Sequence, residues 1–121
     1  MAIYYNLPIY KVAYNLLLSI ARTMPDMPRD CRYGIGQDLR RKVMDIIIGI
    51  YNANRVTEKV SIIRCMREAL LESQVYARIM GDLHYISDGR HSEWMEMMVS
   101  LSKQMSAWEK SQNEKRGQRM Q

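Results

Sequence analysis

The sequence predicts an all-α protein: an antiparallel four-helix bundle whose helices run up, down, up and down. Three observations carry that reading. Apolar residues recur at steps of three and four along four separate stretches, as in helices that each bury one face. The breaks between the stretches are short, so successive helices must pack side by side and antiparallel. No stretch alternates apolar and polar residues in the way a half-buried strand does.

The first helix is expected to start near Leu7-Pro8, because proline is tolerated in an opening turn whose N–H groups lack intrahelical partners. Ile9, Val12, Ala13, Leu16, Leu17, Ile20 and Met24 trace its buried face, and Tyr10, Tyr14 and Leu18 broaden it. A helix apolar over more than half its circumference suits burial on two sides, by its own bundle and by a neighbouring subunit. Met24-Pro25-Asp26-Met27-Pro28 ends it, since each proline disfavours a helical residue before it.

The second helix is expected from Asp30 or Tyr33 to Asn54, with Ile35, Leu39, Val43, Ile46, Ile47 and Ile50 inward. Gly34 and Gly36 weaken its first turns by about 1 kcal/mol each relative to alanine, unless they allow another backbone to come close. The third helix follows a Thr57 cap, with Glu58 in its first turn, and ends around Asp82 to Tyr85. Its inward side is Ile62, Met66, Ala69, Leu70, Ser73, Tyr76, Ala77 and Met80. Ser87 caps a fourth helix running to about Ser111, whose seam is Trp94, Met97, Met98, Leu101, Met105 and Trp108. Residues 1–112 therefore form one bundle of helices, each roughly 30 Å long. Residues 113–121 have almost nothing to bury and read as a disordered basic tail.

Composition narrows the function. Eighteen Lys and Arg against thirteen Asp and Glu leave a net charge of +5, which favours polyanionic partners. Phenylalanine is absent, so Leu, Ile, eleven Met and eight Tyr build the core. Cys31 and Cys65 lack CxxC spacing and fall in helical stretches, which points to reduced, partly buried thiols in a cytoplasmic protein. Leu16-Leu17-Leu18 and Ile46-Ile47-Ile48 are far short of the ~20 residues a membrane span needs. Lys11 and polar residues interrupt the N-terminal apolar stretch, unlike a signal peptide.

No catalytic constellation is present in the sequence, and the expectation is a binding or assembly protein without cofactor or metal. His84 and His91 flank a turn and read as solvated loop histidines. Glu68 and Glu72 are one turn apart, but no Glu-x-x-His motif completes a di-iron bundle site. Gly34-Ile35-Gly36 follows no strand and is not a dinucleotide fingerprint.

The basic features are more informative. Arg40, Arg41 and Lys42 lie mid-helix and point in directions about 100° apart, so they form no single patch; Asp38 and Asp45 lie nearby to offset them. Arg64, Arg67 and Arg78 share a face of the third helix with Leu71 and Gln74. That stripe suits phosphate or an interface carboxylate, or else salt bridges with the neighbouring Glu68 and Glu72. Trp94 and Trp108 could stack on bases, but both lie in register with the core seam.

Several blocks also carry a family resemblance: Leu7-Pro8-Ile9-Tyr10-Lys11, Tyr33-Gly34-Ile35-Gly36-Gln37-Asp38-Leu39-Arg40, Tyr51-Asn52-Ala53-Asn54, Arg78 with Asp82-Leu83 and Ser87, Ala107-Trp108, and Lys115-Arg116-Gly117-Gln118. In their order and spacing these resemble the accessory variability determinant (Avd) proteins of diversity-generating retroelements. They also resemble, less closely, the bundles encoded by intervening sequences in ribosomal RNA genes. The latter commonly end their second helix in a Ser-Asn-Ile-Ala-Glu-Gly-like stretch, where this chain has Gly49-Ile50-Tyr51-Asn52-Ala53-Asn54.

The Avd resemblance implies a five-fold ring of bundles that binds RNA or DNA. It also implies association with the retroelement reverse transcriptase, as a non-catalytic subunit, during mutagenic cDNA synthesis and retrohoming. It singles out Arg78, which matches a recurrent basic position on the family's third helix; the preceding turn, often basic in that family, holds Gln74. Arg64 and Arg67, and then Arg40, Arg41 and Lys42, complete the candidate nucleic-acid or polymerase contacts.

Overall fold

A computed structural model describes residues 3–120. The elements are α1 (Pro8–Thr23), the single turn α2 (Arg29–Arg32), α3 (Ile35–Asn54), α4 (Val60–Asp82) and α5 (Asp88–Met120), with 3-10 turns at Tyr4–Asn6 and Met24–Asp26. No strand occurs among the described residues. The four long helices pack in the cyclic order α1, α3, α4, α5.

Cross-helix contacts set every neighbour antiparallel. Ser19, late in α1, meets Trp94, early in α5, and Lys42 in α3 meets Glu72 in α4. Arg67, early in α4, meets Glu109, late in α5. Leu17, Leu18 and Ala21 of α1 share a groove with Gln37, Arg40 and Met44 of α3.

The core fills the space between the four faces. Leu16 and Ile20 of α1, Leu39, Val43, Ile46 and Ile50 of α3, Ile63 and Met80 of α4, and Trp94, Met98, Leu101 and Met105 of α5 are fully buried. Each such side chain stabilises the fold by about 1.5–3 kcal/mol. Ile35, Ile47, Ile62, Tyr76, Met97 and Trp108, expected inward, pack at the margin of this core.

The link from α1 to α3 is tied by Arg32. Its guanidinium donates to the carbonyl oxygens of Met24 at 3.1 Å, Pro25 at 2.8 Å and Met27 at 3.3 Å, in the 3-10 turn after α1 and the residue that follows it. Of the two expected starts of the second helix, Asp30 falls in the separate turn α2, and α3 begins at Ile35, two residues after Tyr33, with Tyr33-Gly34 between them. A Cβ at Gly34 would lie 2.7 Å from the carbonyl oxygen of Asp30, and one at Gly36 would lie 2.8 Å from that of Cys31. The two glycines thus allow the close backbone approach at this corner.

At the other end of α3, Lys59 donates to the carbonyl oxygens of Ala53 and Val56. The expected Thr57 cap does not form; α4 starts at Val60 without a side-chain cap, because Lys59 holds residues 55–59 against the end of α3.

After Asp82, His84 adopts a left-handed conformation with φ of 58°. Tyr85 N–H bonds to Met80 O at 2.9 Å and His84 N–H to Gly81 O at 3.1 Å, the paired bonds of a Schellman turn. Ser87 caps α5 as expected, its Oγ accepting the Arg90 N–H at 3.1 Å.

The largest departure from expectation is at 113–121. In place of a disordered tail, α5 continues to Met120; Gln121 lies outside the described residues. Each further residue of an established helix adds one backbone bond without a new nucleation cost. Arg116 and Arg119, one turn apart, reach the same partner, Glu58, at 3.6 Å and 2.8 Å. At 33 residues α5 is about 50 Å long, and its last two turns project past the start of α4.

Candidate nucleic-acid interface

The six basic residues singled out above do not form one patch. Arg40 is exposed on the rim of the α1/α3 groove and makes no ion pair or hydrogen bond among the described residues. Arg41 turns towards Asp38 at 3.8 Å. Lys42 points towards α4, its Nζ 2.7 Å from Glu72 Oε2, and that carboxylate raises its pKa through the hydrogen bond and through charge.

The arginine stripe of α4 is split as well. Arg64 and Arg67 converge on one Glu109 carboxylate oxygen, at 3.8 Å and 3.3 Å, and the Glu109 side chain is only 17% exposed. The salt-bridge alternative therefore holds for these two, with a partner on α5 that the sequence reading did not name; Glu72 is engaged by Lys42. Arg78 lies eleven residues beyond Arg67, about 16 Å along the helix. It is exposed, without a polar partner among the described residues, and stands among exposed Leu71, Val75, Ile79 and Leu83.

The basic excess gathers at the end of the bundle where α1 and α4 begin and α3 and α5 finish. The first turn of α1, residues 55–59, the first two turns of α4 and α5 from Glu109 onward hold nine Lys and Arg against three Glu. The rest of the chain holds nine against ten Asp and Glu. The whole positive balance of the protein thus sits at one end.

Two of the three glutamates there, Glu58 and Glu109, are each shared by two arginines. Lys11, Lys110 and Lys115 have no anionic partner among the described residues. Arg55 lies over the Tyr51 ring at 5.2 Å, beside an edge-to-face cluster in which Tyr4 meets Tyr5, Tyr10 and Tyr51. Lys59 has its pKa lowered, first by burial and then by the charge of Lys115.

A cleft of about 360 Å³ opens in this basic end, lined by Leu7, Pro8, Ile9, Asn54, Lys59, Gln104, Trp108, Gln112 and Lys115. Here the two tryptophans part company. Trp94 is fully buried, and its Nε1–H donates to Ser19 Oγ at 2.8 Å. Trp108 is half-buried, lines the cleft, and its Nε1–H has no acceptor among the described residues.

Of the remaining candidates, His84, His91 and Cys31 lie away from this end, whereas Cys65 lies in the second turn of α4. His84 is exposed, but His91 is not a loop residue: it lies in α5, packed against Gly81, with Nε2 buried and unpaired. Cys31 is buried, which raises its thiol pKa, whereas Cys65 is exposed. No group of three or more potential metal ligands occurs among the described residues, and no described helix is long and apolar enough to cross a membrane. No protein-family model matches the chain, and no curated protein is significantly similar to it.

Proposed function

We propose that the protein is an accessory nucleic-acid-binding subunit of a diversity-generating retroelement. In this reading it is a cytoplasmic homo-oligomer, a pentamer, that holds RNA or cDNA and docks on the reverse transcriptase during mutagenic retrohoming. It supplies no catalytic group of its own and carries no cofactor. The observation that carries the nucleic-acid part is the gathering of the basic excess at one end of the bundle, nine Lys and Arg against three Glu. A ring of subunits would sum these ends into a field that attracts a polyanion. The retroelement, polymerase and pentamer parts rest on the sequence resemblance. Exposed Leu71, Val75, Ile79 and Leu83 around Arg78 support a polypeptide partner on α4. In this reading Arg78 meets protein, while the lysines of the basic end meet phosphate.

The reading is tested by titrating the purified protein with structured RNA and duplex DNA over a salt series, with light scattering on the same sample. The expected result is a pentamer whose log affinity falls linearly with log salt. A pentamer that binds neither at low salt would favour the second reading, a structural oligomer, which the use of Arg64 and Arg67 on Glu109 supports. RNA binding without affinity for a co-expressed reverse transcriptase would favour the ribosomal intervening-sequence type instead.

A further inference from the structure

The half-buried Trp108 is an expensive residue to leave beside water at the most basic place in the molecule. Its ring lines a cleft whose size lies in the range of about 300–1,000 Å³ common for small-ligand sites. Lys59 and Lys115 stand on the same cleft, close enough for Lys115 to disfavour the charged form of Lys59. Lys59 is held in place by the carbonyl oxygens of Ala53 and Val56. Gln112, only 5% exposed, also lines the cleft, and its amide makes no hydrogen bond among the described residues. A flat aromatic surface, two mutually repelling cations and an amide on the cleft wall without a hydrogen bond among the described residues match the parts of one nucleotide: a base to stack, a phosphate to neutralise both ammonium groups, and a base edge to meet the amide.

We propose that this cleft takes one unpaired base of a single-stranded nucleic acid, stacked on Trp108, with the adjoining phosphate held between Lys59 and Lys115. The proposal rests on the nucleic-acid reading above and deepens it. Duplex nucleic acid, whose bases are already stacked, meets only the surrounding lysines and arginines. The protein therefore has two modes at one end: a salt-sensitive mode open to any polyanion, and a stacking mode reserved for single strands.

The test uses the full chain, a short oligothymidylate, an abasic oligonucleotide with the same number of phosphates, and a blunt duplex. Tryptophan emission is the direct readout, because Trp94 is fully buried and only Trp108 is placed to be quenched by a base. Oligothymidylate is expected to quench emission and to bind more tightly than the abasic strand. Trp108→Leu should lower oligothymidylate affinity by about tenfold or more, while Trp108→Phe recovers most of it. Both variants should leave affinity for the abasic strand and the duplex unchanged.

Equal affinity for thymidylate and abasic strands, with unchanged emission, would overturn the stacking site and leave the electrostatic reading standing. Absence of binding to all three probes would overturn the nucleic-acid reading itself, and the stacking site with it. Should Trp108→Leu lose helicity by circular dichroism, the wild-type comparison of thymidylate with abasic strand and the Trp108→Phe variant decide the matter.

Discussion

The two ends of this bundle are built for different purposes. At the end where α1 leads into α3 and α4 into α5, several backbone groups are closed locally. Arg32 takes three carbonyl oxygens, a Schellman turn closes α4, and Ser87 caps α5. Nearby, Ser19 Oγ gathers Trp94, Arg90 and Glu93 into one network between α1 and α5. At the opposite end Lys59 closes two carbonyl oxygens, but one helix overshoots and cations outnumber carboxylates three to one. Closure is concentrated at the first end and unbalanced charge at the second. A small helical protein can thus separate what holds it together from what meets a polyanion.

The sharpest way to break this comparison is to neutralise each end in turn. Replacing Lys110, Lys115, Arg116 and Arg119 with Gln should reduce nucleic-acid affinity at low salt by at least about tenfold, and flatten the salt slope by about 0.9 for each lost duplex phosphate contact. Replacing Arg40 and Arg78 with Gln should change that affinity by less than about twofold, as measured by fluorescence anisotropy on the same probes. Equal losses from the two sets would mean that the basic end has no special role.

The next effect concerns stability at the closed end. Ser19→Ala leaves the buried Trp94 N–H without its acceptor and should cost about 1–3 kcal/mol in urea unfolding. No measurable loss would show that water or a repacked neighbour replaces the hydroxyl.

A smaller effect, opposite in sign, is expected two residues after α4. His84 occupies a left-handed conformation that glycine adopts without a Cβ clash, so His84→Gly should raise stability by about 0.5–1 kcal/mol in the same assay.

The smallest effect belongs to the basic end. Lys59 lies below its ordinary pKa of 10.5 because burial, and then Lys115, disfavour its ammonium form. The folded state thus binds this proton less tightly than the unfolded state, so the contribution of Lys59 to stability rises with pH through a window that ends at 10.5. Lys115→Gln should raise the Lys59 pKa and narrow the window, which NMR titration of the lysine side chains can follow. An unmoved Lys59 would mean that burial alone sets it.

Much of the fold was legible in the spacing of apolar residues. Pro8 marked the start of α1, Asn54 the end of α3 and Ser87 the cap of α5, since each of these acts through backbone chemistry within one turn. The break at Gly34 was harder to see, because glycine inside an apolar period reads as a weak helix position until the backbone it approaches is known. Residues 113–120 misled for a related reason. Their composition has nothing to bury, and the Glu58 that meets Arg116 and Arg119 stands more than fifty residues earlier in the chain.

The candidate site was less legible. A helical wheel puts Arg64, Arg67 and Arg78 on one face, but it does not show Glu109 across the helix boundary or the distance that separates Arg78 from the other two. Both tryptophans fit the seam of α5, and only packing distinguishes one with a buried partner from one that lines a cleft.

The sequence by itself determined that the chain is helical, where its long helices lie and which face of each turns inward, because periodicity and capping depend on neighbours within a few residues. Tertiary structure alone decided which charges pair, which tryptophan reaches solvent and where the basic excess collects. Those outcomes depend on antiparallel packing, which brings residues 55–59 beside the end of α5 and so places in one corner charges that the chain keeps far apart.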